Sequence, residues 1–201
     1  MTRYKTVLLF GAPGSGKGTL GKILNAMPGF RHVACGDVFR ALDRSSPIGL
    51  EFAKYASGGG LVPDELTVEL WRTTMQAMVQ DGRYVPEKQV LLLDGIPRTL
   101  EQAVLMNDMI DVAAIIHLYV NDAMQIVERL QARALTENRK DDADIEVIRH
   151  RIDVYEEQTR PVLQFYPFNN VFRVNATQEQ VRVTADALKA LALCEPPIVA
   201  G

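Results

Sequence analysis

The amino-acid sequence predicts an α/β protein in which five parallel strands form one sheet flanked by helices. Apolar runs of strand length alternate along the 201-residue chain with segments of helical periodicity, which is typical of parallel sheets with helical crossovers. The run Val90–Asp94 is apolar up to its last residue, as expected for a strand that is covered on both faces. A glycine-rich stretch, residues 11–18, lies directly between the first apolar run and the first helical segment.

The individual elements are predicted from hydrophobic periodicity and from residues that begin or end helices. Pro28 and Gly29 end the first helix, and Asp64 is expected to be the N-cap of a later one. Thr177 and Gln180 form a capping-box pattern for the last helix. The predicted strands are residues 6–10, 31–34, 90–94, 113–120 and 170–174. The predicted helices begin near residues 17, 37, 45, 64, 99, 122, 144 and 177. The helix from 144 is expected to continue to about 166, with Pro161 bending or ending it.

Several conspicuous side chains are interpreted as structural. Trp71 and the methionines of the predicted helix 64–81 follow helical spacing, so we expect them in the core. His117 lies within a predicted strand and is expected to be a satisfied core or strand-end histidine. Cys35 and Cys194 form neither a metal-ligand pattern nor a disulfide framework, and Cys35 is not expected to be a nucleophile.

The composition is that of an ordinary globular protein, with 47% hydrophobic and 23% charged residues. The formal net charge of −3 argues against general binding to nucleic acid or to a membrane surface. The chain enters its first predicted strand within a few residues, and no apolar run is long enough to span a bilayer. A cytoplasmic monomer without a nucleic-acid or membrane partner is therefore expected.

The glycine-rich stretch has the composition and the context of a phosphate-binding loop. Its glycines allow successive backbone N–H groups to face one concave spot, and the following helix adds the positive end of its dipole. Lys17 would place a positive charge beside the terminal phosphates of a nucleotide. The general pattern has Ser or Thr directly after the lysine to contact Mg²⁺, whereas here Gly18 takes that position and Thr19 follows. We expect nucleotide binding, with the metal held more by phosphates and water than by a direct protein ligand.

Basic side chains accompany the predicted carboxyl ends of the strands. The glycine-rich stretch and residues 35–37, 94–95 and 175–176 all follow predicted strands, so they should converge on one rim of the sheet. Arg129 and Arg133 lie four residues apart and share one helix face. Such a set suits two phosphorylated substrates held end to end, whereas the alternative is that several of these arginines pair with acidic residues on a solvated surface. The arginines concerned are Arg40, Arg98, Arg129, Arg133, Arg139 and either Arg149 or Arg151.

Five motifs, in order, resemble those of the adenylate kinases. They are Gly-x-Pro-Gly-Ser-Gly-Lys-Gly-Thr at 11–19, Gly-Asp-x-x-Arg at 36–40, Gly-Leu-Val-x-Asp-Glu at 60–65, Asp-Gly-x-Pro-Arg-Thr-x-x-Gln at 94–102 and Arg-Lys-Asp-Asp at 139–142. The resemblance implies a core of residues 1–34, 67–133 and 143–201, a monophosphate-binding domain of residues 35–66, and a short lid of residues 134–142. It also implies reversible Mg²⁺-dependent phosphoryl transfer from ATP to AMP, giving two ADP. No structural zinc is expected, because the lid lacks the four metal-binding positions of some relatives.

The same resemblance implies roles for individual residues. The implied catalytic residues are Lys17, Arg98, Arg129, Arg133, Arg139 and Arg151. ATP would be bound by Gly14, Ser15, Gly16, Lys17, Gly18, Thr19, Arg129, Arg133 and the backbone near Gln178. AMP would be bound by Cys35, Gly36, Arg40, Gly60, Val62, Gly95, Arg98, Gln102, Arg139 and Arg151. Asp94 would orient water on Mg²⁺ with help from Asp37, and Thr19 is a possible metal ligand.

A departure from the family at Cys35, the two candidate arginines at 149 and 151, and the position of Gly18 leave alternatives open. The family usually has Thr where this chain has Cys35, and the uridylate-cytidylate kinases have Ala there, so a pyrimidine monophosphate kinase is an alternative. Gln102 favours AMP, because an amide can pair with an adenine edge by one donor and one acceptor. Arg149 and Arg151 compete for the second clamp, and the spacing to the following Tyr155 favours Arg151. A nucleotide-binding regulator with little turnover, favoured by Gly18, and a plain ATPase are the other candidates.

Overall fold

The computed structural model describes residues 3–43, 45, 47–56, 60–137 and 142–194. Its strands are β1 (Tyr4–Phe10), β2 (Phe30–Ala34), β3 (Val90–Asp94), β4 (Ile110–Tyr119) and β5 (Val171–Asn175). All of them are parallel and form one sheet in the order β2-β3-β1-β4-β5, which confirms the predicted fold class. Because β1 lies at the centre, the loop that follows it opens onto the middle of the carboxyl edge.

Helices connect the strands and cover both faces of the sheet. They are α1 (Lys17–Asn25), α2 (Cys35–Arg40), α3 (Pro47–Ala56), α4 (Asp64–Gln80), α5 (Leu100–Met106), α6 (Ala123–Glu137), α7 (Ile145–Val154) and α8 (Gln180–Ala192). A π-helical turn (Tyr155–Thr159) and a 3₁₀ segment (Arg160–Phe165) continue α7, and a second 3₁₀ turn (Phe168–Asn170) precedes β5. Residues 138–141 of the predicted lid, including Arg139, lie outside the described residues, as do the first two glycines of the triplet at 58–60.

Alternating side chains of the central strand pack into two separate hydrophobic layers. Leu8 and Phe10 belong to one cluster, and Val7 and Leu9 belong to the other. This alternation is the period-two geometry of a strand that is buried on both faces. Trp71 lies in the first cluster together with Met75 and Met78, which confirms that these side chains belong to the core. The sheet is therefore held rigidly between its layers and positions the loops at its carboxyl edge.

The capping box predicted at Thr177 is wrong. The helix α8 begins at Gln180 after Glu179, and its N-terminus has no side-chain cap. The backbone N–H and the hydroxyl of Thr177 both donate to the Asn175 side-chain oxygen, at 2.9 and 2.7 Å. The Asn175 side chain forms a local turn with Thr177, and this turn replaces the helix start.

Two further helix predictions are corrected. The Asp64 residue is not the N-cap of α4, since the helix starts at Asp64 itself and Pro63 precedes it as the cap. The helix predicted from 144 to about 166, bent or ended by Pro161, is α-helical only as far as Val154. The next five residues form a π-helical turn, whose wider i→i+5 bonding shifts the faces on which the following side chains lie. Such turns are frequent at functional sites.

Candidate active site

The loop after β1 has the geometry of a phosphate cradle. The φ angles of Gly11, Gly14 and Gly16 are +148°, +78° and +97°, in the left-handed region that favours glycine. A Cβ at Gly11 would lie 2.5 Å from the carbonyl oxygen of Leu118, so no side chain fits there without movement of backbone. The loop runs directly into the N-terminus of α1, whose N–H groups and dipole favour an anion.

Lys17 folds back over this loop. Its ammonium group donates hydrogen bonds to the carbonyl oxygens of Gly11 and Ala12, at 2.7 and 3.0 Å. Burial lowers the pKa of Lys17 to about 8, Asp94 opposes this change, and neighbouring arginines add to it. A bound phosphate would favour the charged form of the lysine, so the site is electrostatically prepared for an anion.

A cavity of about 560 Å³ lies at the carboxyl edge of the sheet, beside the loop. It brings together residues that are far apart in the sequence and that belong to the loop, α2, the turn after β3, α6, α7 and the turn after β5. The predicted site residues that line it are Gly14, Ser15, Gly16, Lys17, Gly18, Thr19, Gly36, Arg40, Asp94, Gly95, Arg98, Arg129, Arg133, Arg151 and Gln178. The predicted convergence of these segments on one rim is therefore confirmed.

A fully buried carboxylate holds two of these arginines. Asp142 is 0% exposed, and its Oδ2 accepts from Arg133 at 2.6 to 2.7 Å while its Oδ1 accepts from Arg151. One carboxylate thus accepts hydrogen bonds from two guanidinium groups. Because each arginine is fixed by a charge-assisted hydrogen bond, both are positioned before any substrate arrives.

Arg98 and Cys35 follow the carboxyl ends of β3 and β2, respectively. Burial lowers the pKa of Arg98 to about 10, and the charge of Arg151 adds to this effect. Burial raises the pKa of Cys35 to about 12, although Arg98 opposes that change. The thiol therefore stays protonated at neutral pH, in agreement with the expectation that Cys35 is not a nucleophile.

Asp94 ends β3 and faces the start of α1. Its Oδ2 lies 3.8 Å from the Nε2 of His32, and a Cβ built on Gly18 would lie 3.8 Å from the same oxygen. Within the described ranges, no group of three or more His, Cys, Asp or Glu side chains could hold a metal ion by itself. Asp94 and Thr19 both line the cavity. Such a small number of oxygen-bearing side chains fits Mg²⁺, which typically takes one or two protein oxygens and completes its shell with phosphates and water.

Gln102 is held between two segments of the chain. It is 1% exposed, its Oε1 accepts from the backbone N–H of Arg98 at 2.7 Å, and its Nε2 donates to Asp64 at 2.8 Å. Its backbone N–H donates to the hydroxyl of Thr99, which is the N-cap of α5. The Thr-x-x-Gln pattern at Thr99 was thus the sequence signal for a side-chain cap that we did not predict.

Two side chains that line the cavity order the turn after β5. Arg129 donates to the carbonyl oxygen of Ala176 at 2.8 Å, which ties α6 to this turn. The Gln178 amide donates to Asp186 of α8 at 2.8 Å. A flat guanidinium and ordered backbone beside the phosphate loop are suited to a nucleotide base.

Comparison with known proteins agrees with this geometry. The sequence model of the adenylate kinase family matches residues 9–171. This chain belongs to the adenylate kinase family.

Curated adenylate kinases resemble the chain over most of their length. The adenylate kinase of Porphyromonas gingivalis strain W83 is 37% identical over 171 residues, covering 82% of this chain and 84% of that protein. That of Thermobifida fusca is 36% identical over 193 residues, with 92% and 97% covered. That of Mycolicibacterium smegmatis is 37% identical over 192 residues, with 92% and 98% covered. The resemblance drawn from the motifs is confirmed, and the chain is an enzyme of the nucleoside monophosphate kinase class.

The adenylate kinase cavity does not contain every residue that the sequence assigned to the site. Of the described residues, Cys35, Gly60, Val62 and Gln102 are not among those that line it, while Arg139 lies outside the described ranges. Arg40 lines the cavity but pairs with Asp37 at 2.5 Å on a half-exposed surface. For Arg40, this contact is the alternative of an ion pair with an acidic residue on a solvated surface.

Arg149 and Arg151 have different environments. Arg151 lines the cavity and is held by Asp142, whereas the Arg149 side chain is 63% exposed and pairs with Glu146 at 2.9 Å. The geometry therefore favours Arg151 as the clamp.

Some residues of the adenylate kinase site were missed. Tyr155 and Thr159, at the two ends of the π-helical turn, line the cavity, although the sequence analysis used Tyr155 only for its spacing from Arg151 and gave Thr159 no role in the site. His32 also lines it, and no local pattern identifies that role. The Nε2 of His117 lies 3.1 Å from the Tyr155 hydroxyl, and burial lowers the pKa of His117 to about 4. The prediction that His117 is a satisfied strand histidine is therefore confirmed.

In the part of the chain that the structure describes, the helices are too short or too polar to cross a bilayer.

Proposed function

We propose that this member of the adenylate kinase family transfers the γ-phosphoryl group of ATP reversibly to AMP, with Mg²⁺, to give two molecules of ADP. The observation that carries the proposal is one cavity lined both by a phosphate cradle and by several arginines, Arg40, Arg98, Arg129, Arg133 and Arg151. A site for one nucleotide and a water molecule would not require so many guanidinium groups. Two anions placed end to end would use the cradle and the arginines together.

ATP is the proposed occupant of the cradle side. The loop N–H groups and Lys17 would hold its phosphates, while Arg129 and the backbone near Gln178 would contact its base. The hydrogen bond from Arg129 to Ala176 supports this assignment, because it orders the turn that the base would meet. The proposed ATP-binding residues are Gly14, Ser15, Gly16, Lys17, Gly18, Thr19, Arg129, Arg133 and Gln178.

AMP is the proposed occupant of the other side. Arg40 and Arg98 would hold its phosphate, which would require Arg40 to exchange Asp37 for the substrate. The proposed AMP-binding residues are Cys35, Gly36, Arg40, Gly60, Val62, Gly95, Arg98, Gln102, Arg139 and Arg151. Several of them are buried outside the cavity, so movement of residues 35–66 belongs to the proposal. Closure of residues 134–142 as a lid would exclude water from the transferring group.

Catalysis by this site would rest on position and charge. Phosphoryl transfer with a loose transition state requires in-line substrates and stabilisation of charge on the transferring oxygens, and the acceptor phosphate is already an anion. Arg133 and Arg151, which are held in place by Asp142, are suited to stabilise that negative charge. Lys17, Arg98, Arg129 and Arg139 complete the proposed catalytic set.

Mg²⁺ is the proposed cofactor, bound together with ATP. Asp94 would hold the ion through water, and the hydroxyl of Thr19 is a candidate for a direct ligand. The ion would neutralise phosphate charge during transfer. We further propose that the enzyme works as a cytoplasmic monomer without structural zinc and without a nucleic-acid or membrane partner.

A monophosphate panel tests the proposal. In a coupled assay with ATP and Mg²⁺, AMP should give ADP, and CMP and UMP should react far more slowly. Turnover of CMP or UMP without AMP would instead make the protein a pyrimidine monophosphate kinase. Phosphate release that is indifferent to added AMP would make it an ATPase. Negligible turnover with every monophosphate would make the protein a nucleotide-binding regulator. Full activity that is lost in Arg98→Ala with the fold intact would eliminate that alternative.

A further inference from the structure

The amide of Gln102 is anchored in one orientation by its neighbours. The two contacts are the Arg98 N–H on Oε1 and the Asp64 carboxylate on Nε2. A backbone N–H can only donate, and an ionised carboxylate can only accept. A flipped amide would turn its NH₂ toward the N–H and its oxygen toward the carboxylate, so both hydrogen bonds would be lost.

The anchored amide retains one donor and one acceptor. Its oxygen has a second lone pair, and its nitrogen has a second hydrogen. Adenine offers the complementary pair, a donating 6-amino group beside the accepting N1, whereas a 6-oxopurine offers an acceptor beside an N1–H. Pairing with the second kind of base would require the flipped amide. Gln102 is 1% exposed, so a base reaches it only after part of the surrounding chain has moved aside.

We propose that Asp64 is the positioning residue that sets the specificity of this site for a 6-aminopurine over a 6-oxopurine. This inference rests on the proposed function, in which Gln102 reads the acceptor base. Asp64 lies 38 residues from Gln102 in the sequence, at the first position of α4, and acts through the amide rather than on the substrate. It thus joins the end of the segment 35–66 to the residue that contacts the base.

Asp64→Asn is the informative substitution. Asparagine keeps the shape of the side chain, but it can donate as well as accept, so it tolerates either orientation of the Gln102 amide. The substrates to compare are AMP and inosine monophosphate, which differ only at the 6-position and in the N1 proton that accompanies it. The readout is the ratio of kcat/KM for AMP over inosine monophosphate. Inosine monophosphate is measured also as an inhibitor of AMP phosphorylation, so that a ratio is obtained even where it is not turned over.

The expected result is a fall of about tenfold in the preference for AMP, which is the size of effect that one charge-assisted hydrogen bond supports. Glu65→Gln is the matched control, because it removes the same charge from the same helical turn at an exposed position. That variant should keep the preference of the unmodified enzyme. If Asp64→Asn does not fold, as judged by circular dichroism, Asp64→Ser takes its place, since the serine hydroxyl is smaller, uncharged and able to donate or accept.

Two results would overturn the inference, and a third would overturn the proposed function. An unchanged preference in a folded Asp64 variant would show that the carboxylate does not select the base. An equal loss with both nucleotides, shared by Glu65→Gln, would show that these acids only support the helix. Failure of the unmodified protein to phosphorylate AMP would instead remove the proposed reaction, whatever the Asp64 variants do.

Discussion

Substitution of Asp142 by asparagine should weaken both the stability and the turnover of this enzyme. Asp142 is fully buried between Arg133 and Arg151, whose side chains are 27% and 17% exposed. An asparagine could accept from one arginine, but its NH₂ group would face the other. Both guanidinium groups would then lose the negative charge of Asp142.

The size of the effect follows from these contacts. Removing one partner of a buried ion pair costs about 3–5 kcal/mol. Because both arginines reach solvent and asparagine keeps one acceptor, we expect about 2–3 kcal/mol. For a chain of this length, about 2–4 °C of Tm corresponds to each kcal/mol, so Tm should fall by roughly 4–12 °C. Misplacement of two charges beside the transferring group should lower kcat by about 100-fold.

Thermal unfolding and coupled kinetics of the same preparation test both expectations. The matched control is Glu146→Gln on α7, which removes the carboxylate of an exposed pair with Arg149. This substitution should change neither quantity measurably. A Tm and kcat like those of the unmodified enzyme in Asp142→Asn would refute the argument that the carboxylate positions the arginines. A lower Tm with unchanged kcat would limit its role to folding.

Three other predictions concern the lysine of the phosphate loop, the packing of α1 and the start of α5. ATP affinity measured by calorimetry should weaken about tenfold between pH 7 and 9, because free Lys17 loses its proton near pH 8 and phosphate binds the charged form; Lys17→Arg should flatten this dependence. Gly21→Ala should lower the free energy of unfolding in denaturant titrations by about 1–3 kcal/mol, because its Cβ would lie 2.3 Å from the His32 ring. A free energy of unfolding equal to that of the unmodified enzyme would show that the ring moves freely. Thr99→Ala should cost about 1 kcal/mol because Thr99 caps α5, whereas Thr177→Ala, at the wrongly predicted cap, should cost clearly less; equal losses would contradict the cap assignment.

The sequence was informative wherever structure depends on neighbouring residues. The strand Val90–Asp94 was predicted with its observed bounds, because an uninterrupted apolar run and its final aspartate are both local signals. The two Thr-x-x-Gln patterns show the limit of such signals. The pattern at Thr99 caps a helix, whereas at Thr177 an asparagine two residues earlier competes for the same groups. Local propensity alone does not decide between these outcomes.

By itself, the sequence determined the alternation of strands and helices, the phosphate loop and the family. These features arise from side-chain periodicity, backbone sterics at glycine and the order of short motifs, all of which are written along the chain. The folded structure was needed for the strand order, for the preference for Arg151 over Arg149, and for the carboxylates that hold Arg133, Arg151 and Gln102. Asp142 lies nine residues from each of its arginines, and Asp64 lies 38 residues from Gln102. Contacts at such separations depend on how helices cross the sheet edge, and no periodicity within a segment encodes them.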